Sequence, residues 1–195
     1  MATIFANADA YQKFMGRWSV RLARPFLDFV RLGEGNKILD VGCGTGEFLR
    51  WLRAQRPEQL LVGLDHSELA IRHARKMEEE DMAAQVKVSS LSFLVSDAYD
   101  LHVPSNTIRA VYSGHLLEHL EDPVCALREQ RRILRRGGTV IVHFPHEDAP
   151  YVEHRHILNF GKVMGWLEEA GFLVVGHSEV IPGRPTNDGF VWGTK

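Results

Sequence analysis

The chain has 195 residues, 45% of them hydrophobic, a length that suits one substantial core and would cramp two complete domains. Its 23 basic and 25 acidic residues are interleaved and give a formal net charge of -2, so nucleic acid is a disfavoured substrate. Two cysteines cannot form a disulfide framework, the first residues lack a signal-peptide pattern, and no apolar run approaches the roughly 18 residues of a membrane span. We therefore predict a single cytoplasmic domain over residues 1–195, without a membrane partner.

The N-terminal segment, residues 1–36, is predicted to form a helical cap on a core that occupies residues 37–195. The stretch from Ala8 to Val30 is mostly helical in pattern. It is interrupted at Arg24-Pro25, because proline disfavours helix in the residue before it.

Five apolar, β-rich runs alternate with helical stretches along the core, an order that is typical of a parallel sheet. These runs contain too few alternating polar residues to expose one face to water, so helices should cover both faces of the sheet. The predicted strands are Lys37–Val41, Leu60–Leu64, Phe93–Val95, Ile108–Ser113 and Thr139–Phe144.

Capping residues predict where two of the helices begin. Ser67 can cap a helix that runs into the charged residues Lys76–Asp81, which we expect to be a solvated helix end. Asp122-Pro123 predicts the start of another helix, and Arg135–Gly138 its end, through cations and a glycine stop.

The C-terminal part of the chain predicts one more helix and two strands. The helix runs from about Phe160 to Ala170 and is stopped by Gly171. The strands are Phe172–Val180 and Phe190–Trp192, joined by a turn over Gly183–Gly189.

A loop with three alternate glycines, Gly42, Gly44 and Gly46, connects the first strand to a helix. Such a loop lets a ligand approach the backbone closely, and the free N–H groups of the helix start favour a carboxylate or phosphate. A dinucleotide fold requires G-x-G-x-x-G, but Glu47 stands where its third glycine would fall. Because a carboxylate there would repel a pyrophosphate, a nicotinamide oxidoreductase is the less favoured interpretation.

The string ILDVGCGTGEFL, residues 38–49, resembles motif I of class I S-adenosylmethionine-dependent methyltransferases, especially the small-molecule group that includes quinone-biosynthesis C-methyltransferases. The resemblance continues, in order, through Val62–Ser67, Val95–Ala98, Leu116–Pro123 and Arg132–Gly138. It implies a Rossmann-like α/β fold with a seven-stranded, mostly parallel sheet whose seventh strand is antiparallel. It also implies methyl transfer from S-adenosylmethionine to a small-molecule acceptor, with S-adenosylhomocysteine as product. A non-catalytic S-adenosylmethionine-binding regulatory or scaffold subunit is the alternative.

Acidic residues at strand ends are the main candidates for cofactor contacts. Asp65 can accept both ribose hydroxyls, although it could instead cap a helix. Asp97 would accept from the adenine amino group while the N–H of Ala98 donates to the ring; the alternative for Asp97 is a turn former. Asp40 would orient the loop amides or receive the cofactor's ammonium group.

The remaining cofactor candidates complete the same site. His66 can stack on the cofactor, Cys43 is expected to be a packed residue of the loop rather than a nucleophile, and Tyr11 and Arg17 resemble a pair that reaches the methionine carboxylate. The whole predicted cofactor set is Tyr11, Arg17, Asp40, Gly42, Cys43, Gly44, Asp65, His66, Asp97, Ala98 and Ser113.

Histidines are the candidates for other chemistry. His115 follows the carboxyl end of the fourth strand, where parallel sheets present ligands, so we predict that it is a base or an acceptor-orienting group. His119 is expected to be packed or capping. A metal site is conceivable in a second group of histidines, but we predict that this group lines a polar cleft or faces solvent and holds no metal. The group comprises His143, His146, His154 and His156.

Overall fold

A computed structural model describes residues 36–83, 90–145, 154–179 and 188–195. The predicted N-terminal cap, with Tyr11 and Arg17, lies outside the described residues, as do His146 and most of the predicted turn over Gly183–Gly189. No helix in the described part of the chain is long and apolar enough to cross a membrane.

Seven strands form one sheet in the order β3-β2-β1-β4-β5-β7-β6, and β7 runs antiparallel to both of its neighbours while the other pairs are parallel. This confirms the predicted fold class. Strand order reverses between β1 and β4, which is the place where such sheets bind ligands, beyond the carboxyl ends of the strands. In chain order, the elements are β1 (Lys37–Val41), α1 (Glu47–Gln55), β2 (Leu60–Asp65), α2 (Glu68–Ala83), β3 (Leu91–Val95), β4 (Ile108–Gly114), a 3₁₀ turn (Leu117–His119), α3 (Pro123–Ile133), β5 (Leu134–Pro145), α4 (Phe160–Glu169), β6 (Leu173–Glu179) and β7 (Asp188–Thr194).

The sheet has an apolar core on each face, as its apolar strands predict. Successive residues of β1 serve opposite faces: Ile38 packs in the core of α1 and α2, whereas Leu39 packs in the core of α3 and α4. Both side chains are completely buried. With both faces covered, ligand access is left to the strand ends.

Helix caps occur where the sequence predicts them. Ser67 Oγ accepts from Ala70 N at 3.3 Å at the start of α2, and Asp122 Oδ1 accepts from Cys125 N at 2.9 Å at the start of α3. Gly171 has φ +90° and follows α4, which confirms the predicted glycine stop.

The predicted end of α3 is wrong. The helix ends at Ile133, and Leu134 is already extended (φ -65°, ψ 135°) and pairs with Ile108. The segment Arg135–Gly138 therefore belongs to β5 instead of closing a helix. Backbone pairing explains the difference, because Gly137 N donates to Lys195 O at 3.1 Å and Lys195 N donates back to Gly138 O at 3.1 Å.

One residue of the charged run Lys76–Asp81 also departs from the prediction of a solvated helix end. Glu78 is buried, and its carboxylate lies 2.5 Å from the guanidinium of Arg53 on α1. Glu79 and Glu80 are exposed as expected. The inner face of α2 therefore carries a charged residue as well as apolar ones. A buried charge requires a partner of opposite charge, which Arg53 provides for Glu78.

Candidate functional site

The glycine loop is fastened to the end of β2 by backbone hydrogen bonds. Leu64 O accepts from Gly42 N at 2.8 Å and from Cys43 N at 3.0 Å, and Asp65 Oδ2 accepts from Gly44 N at 2.9 Å. Gly42 and Gly44 have φ angles of +80° and +53°, which residues with a side chain rarely adopt. The loop thus holds a fixed backbone surface next to the sheet.

Gly46 completes this loop and allows α1 to approach the sheet. Its φ is +77°, and a Cβ placed on it would lie 2.4 Å from the ring of Phe93 on β3. This is the packing role of the third glycine in a dinucleotide loop, performed one position before Glu47.

Asp65, rather than Asp40, orients the loop. Asp65 accepts from Gly44 N through one oxygen and from Ser67 N through the other, at 2.8 Å. The alternative of Asp65 as a helix cap is wrong, because Ser67 caps α2. The expectation that Asp40 orients the loop amides is also wrong, since these amides bond to Leu64 O, to Asp65 and to Cys43 O among the described residues.

Burial raises the pKa of two groups beneath the loop. Burial, and secondarily the charge of Asp65, raises the pKa of Asp40 well above its usual range. Burial also raises the pKa of the Cys43 thiol, with Asp40 and Asp65 adding to the shift. A raised thiol pKa disfavours the thiolate, which fits a packed cysteine rather than a nucleophile.

A cavity of about 680 Å³ opens at the carboxyl ends of β1, β2 and β4. We call the part lined from Val41 to Tyr99 the glycine-loop end, and the part lined from His115 to Glu121 and by Arg155 the histidine end. The predicted residues that line the cavity are Gly42, Gly44, Asp65, His66, Asp97, Ala98 and His115. Three others, Asp40, Cys43 and Ser113, do not line it; Ser113 is fully buried within β4.

Asp97 forms a turn and also lines the cavity. Its Oδ1 accepts from Tyr99 N at 2.9 Å, and its carbonyl accepts from Asp100 N at 3.1 Å, so it forms the turn that the alternative interpretation expected. The same residue lines the cavity beside Ala98.

Several wall residues were not predicted from the sequence. The hydroxyl of Tyr99 accepts from Glu121 N at 3.0 Å and from Asp122 N at 3.1 Å, which joins the two ends of the cavity. Arg155 brings a cation to the histidine end. The sequence marks it only by its place between His154 and His156, in the second group of histidines. The other residues of the wall that were not predicted as ligand contacts are Val41, Thr45, Leu64, Ser67, Leu69, Ala70, Ser96, Leu116, His119, Leu120 and Glu121.

His115 forms a polar pair with a buried carboxylate. Its Nδ1 lies 3.2 Å from Oε1 of Glu118, whose side chain is completely buried. A carboxylate only accepts, so Nδ1 is the donor in this pair. His115 also has φ +51°, a strained backbone for a residue with a side chain. The pair is thus held in one arrangement at the cavity wall.

The described histidines of the group that the sequence indicated have different surroundings. His143 is neither at a cleft mouth nor in solvent: it is buried on β5, with Nδ1 3.1 Å from the Tyr112 hydroxyl. His156 Nε2 lies 3.0 Å from Leu120 O, so it is fixed against the loop after the 3₁₀ turn. His154 instead approaches His119, with ring centroids 5.0 Å apart. His119 lines the cavity and is not merely a packed residue.

Comparison with known proteins identifies one family, whose match covers about half of the chain. The methyltransferase-domain family matches residues 39–142, which include the glycine loop, Asp65, Asp97 and His115. The demethylmenaquinone methyltransferase of Symbiobacterium thermophilum is 30% identical over 141 residues, which are 71% of this chain and 54% of that protein. The chain spans between about a quarter and about a half of the length of the curated relatives it matches.

Solved structures share the fold over nearly the whole chain. A methyltransferase-like protein solved in complex with the Trm112 activator of Haloferax volcanii superimposes with a TM-score of 0.83 at 21% identity, covering 100% of this chain and 98% of that one. Phosphoethanolamine N-methyltransferase 2 of Haemonchus contortus, solved with S-adenosylhomocysteine, superimposes with a TM-score of 0.80 at 16% identity, covering 98% of this chain and 57% of that one.

Proposed function

Because this chain belongs to the class I S-adenosylmethionine-dependent methyltransferase family, we propose that it transfers a methyl group from S-adenosylmethionine to a small-molecule acceptor. One observation carries this proposal: a single cavity of about 680 Å³ joins the glycine-loop end to the histidine end. The volume is within the range of about 300–1,000 Å³ that is usual for small-ligand sites. A cofactor and a small acceptor can therefore meet there.

The glycine-loop end is the proposed cofactor site. Each oxygen of Asp65 accepts one N–H and retains a second lone pair, so both can also accept ribose hydroxyls. Asp97 and Ala98 are proposed to bind adenine, and His66 to stack on the cofactor. The start of α1 suits the methionine carboxylate.

The assignments of five further residues rest on the family resemblance or on burial. Asp40 is proposed to receive the ammonium group, directly or through water, and Cys43 and Ser113 to support the loop and β4 from behind the wall. Tyr11 and Arg17 are proposed to reach the carboxylate from the N-terminal segment. We also propose that the chain forms a single domain with an N-terminal cap.

The histidine end is the proposed acceptor site. The sulfonium methyl is already electrophilic, so holding an acceptor in line with the carbon–sulfur bond supplies much of the acceleration. His115 is proposed to orient the acceptor or to take its proton. Relatives named for demethylmenaquinone, sterol and phosphoethanolamine methylation support a small acceptor rather than a polymer.

Ligand-dependent melting tests the cofactor assignment. S-adenosylhomocysteine should raise the melting temperature and NAD should not, because a ligand of the folded state alone stabilises it by mass action. The reverse order would refute the proposal. A metabolite screen for a mass gain of one methyl then identifies the acceptor. Tight S-adenosylhomocysteine binding without turnover, alone or with an activator protein, would instead support the non-catalytic subunit.

A further inference from the structure

The histidine end contains a group of metal-binding side chains that the proposed methyl transfer does not use. Ligand atoms of Glu118, His119 and His154 all lie within 4.8 Å of one another. We propose that these three side chains bind one divalent transition-metal ion, with Zn²⁺ the best match. This departs from the expectation of no metal, which considered His154 with a different set of histidines.

The chemistry of this set suits such an ion. Two imidazoles and one carboxylate bind Zn²⁺ in many proteins, and the same donors also accept Mn²⁺, Fe²⁺ or Co²⁺. Metal–ligand bonds of about 2.0–2.2 Å place donor atoms about 3–4 Å apart, so closure by about an ångström would complete the site.

Glu118 is the strongest argument for a bound cation. Its side chain is completely buried, and its Oε2 has no hydrogen-bond partner among the described residues. A buried carboxylate oxygen is costly unless it is paired or coordinates a metal. Oε1 is held by His115 Nδ1, which is the kind of outer contact that fixes a metal-binding carboxylate.

The backbone holds His154 beside the other two ligands although it is distant in sequence. Arg155 N and His156 N both donate to Glu118 O, at 2.8 Å and 3.2 Å. His156 is fixed in turn by Leu120 O and by an edge contact with Trp166. The segment that carries His154 is therefore attached directly to the 3₁₀ turn that carries Glu118 and His119.

The position of the group indicates what the ion would do, and this part rests on the proposed function. His119 lines the cavity next to His115, and Arg155 lies on the same wall. Three protein ligands leave coordination open, as catalytic zinc sites do. An ion and an arginine together favour an acceptor that carries an anionic oxygen, such as a phenolate, enolate or carboxylate.

Metal titration tests the site independently of methyl transfer. Untagged protein, stripped with a chelator, is titrated with Zn²⁺ in competition with a chromogenic chelator; we expect one tightly bound equivalent. His154→Phe keeps the ring contact with His119 but removes the ligand nitrogen, and should weaken binding by at least about 100-fold. His102→Asn is the control, because His102 is exposed and its φ of +51° is tolerated by asparagine. Absence of a bound equivalent, or equal affinity in His154→Phe, would overturn the inference.

Two added measurements separate this inference from folding and from the proposed function. Co²⁺ bound to the wild type should give a visible spectrum with imidazole-type coordination that His154→Phe lacks. S-adenosylhomocysteine affinity, measured on the same samples, reports both folding and the cofactor site. Cofactor binding without Zn²⁺ binding refutes the metal site alone, whereas Zn²⁺ binding without cofactor binding refutes the proposed function and leaves the metal site standing.

Discussion

The two ends of the cavity are built in different ways. The glycine-loop end is mainly backbone: its amides bond to Leu64 O and Asp65 at the end of the neighbouring strand, and its glycines take conformations that other residues avoid. The histidine end is mainly side chains, among them His115, His119 and Arg155, which come from two separate segments of the chain.

The two ends of the cavity therefore differ in how easily substitutions can change what they bind. A backbone surface can be changed only by altering the loop conformation, which suits a cofactor that many enzymes share. Side chains on the turn after β4 and before α4 can be exchanged without moving the sheet. We therefore expect substitutions at the glycine-loop end to affect folding and cofactor binding, and substitutions at the histidine end to affect the chemistry.

The largest effect should come from Gly46→Ala. The new Cβ would lie only 2.4 Å from the ring of Phe93, and the backbone would have to keep its φ of +77°. Left-handed backbone costs about 1–2 kcal/mol and overpacking about 1–3 kcal/mol, so the free energy of unfolding should fall by about 2–5 kcal/mol in urea titrations.

Gly165→Ala is the matched control for Gly46→Ala. Gly165 lies in the middle of α4, and a Cβ there would meet nothing within 4 Å. Alanine should therefore raise the free energy of unfolding by about 0.5–1 kcal/mol. Equal effects at the two glycines would mean that the loop geometry is not what fixes α1 against the sheet.

At the histidine end, His115→Asn should act on turnover and leave cofactor binding largely unchanged. Asparagine tolerates the φ of +51° but cannot replace the imidazole. We expect kcat to fall by about 10- to 1000-fold, or about 1.4–4 kcal/mol, and cofactor affinity to stay within about threefold. Steady-state kinetics and calorimetry check this. A parallel loss of cofactor affinity would place His115 in the cofactor wall.

The same contrast explains what could be predicted from the sequence. Gly42, Gly44, Asp65 and Asp97 lie at or just after the carboxyl end of a strand. Because these ends meet at one edge of a parallel sheet, strand prediction alone brings the four residues together. Arg155 joins them only because backbone bonds attach its segment to Glu118. No local pattern encodes such a contact.

The misplaced start of β5 and the buried Glu78 have the same origin. Arg135–Gly138 has the composition of a helix stop, but pairing with Lys195 at the end of the chain makes it part of a strand. Glu78 belongs to a charged run, but α1 places Arg53 opposite it. In both cases a distant partner overrides the local preference.

A smaller effect is expected from Asp65→Ala. This carboxylate binds Gly44 N and Ser67 N and is proposed to accept both ribose hydroxyls, so its loss should weaken S-adenosylhomocysteine binding by about 1–3 kcal/mol in calorimetry. Glu68→Ala is the control, because Glu68 is exposed at the start of α2, three residues after Asp65. Unchanged affinity with an intact fold would show that Asp65 serves the loop alone.

The smallest effect, and the one that depends on pH, is expected from Asp40→Asn. Burial and the charge of Asp65 raise the pKa of Asp40 in the folded state. In the unfolded state, the pKa of an aspartate is about 3.9. Below that pH both states are protonated and the group contributes nothing. As the pH rises, the unfolded state loses its proton first, so the folded state is progressively destabilised until the pH passes the raised pKa.

Asparagine has a similar shape and no such penalty, so the advantage of Asp40→Asn in unfolding free energy should be absent near pH 4 and grow toward neutral pH. Urea unfolding at a series of pH values measures this growth. Asp100→Asn, at an exposed carboxylate, is the control. Calorimetry on the same variant should show weaker S-adenosylhomocysteine binding, because the ammonium group loses its proposed anionic partner. A variant that gains stability and keeps full affinity would leave the buried charge of Asp40 without a role at the glycine-loop end.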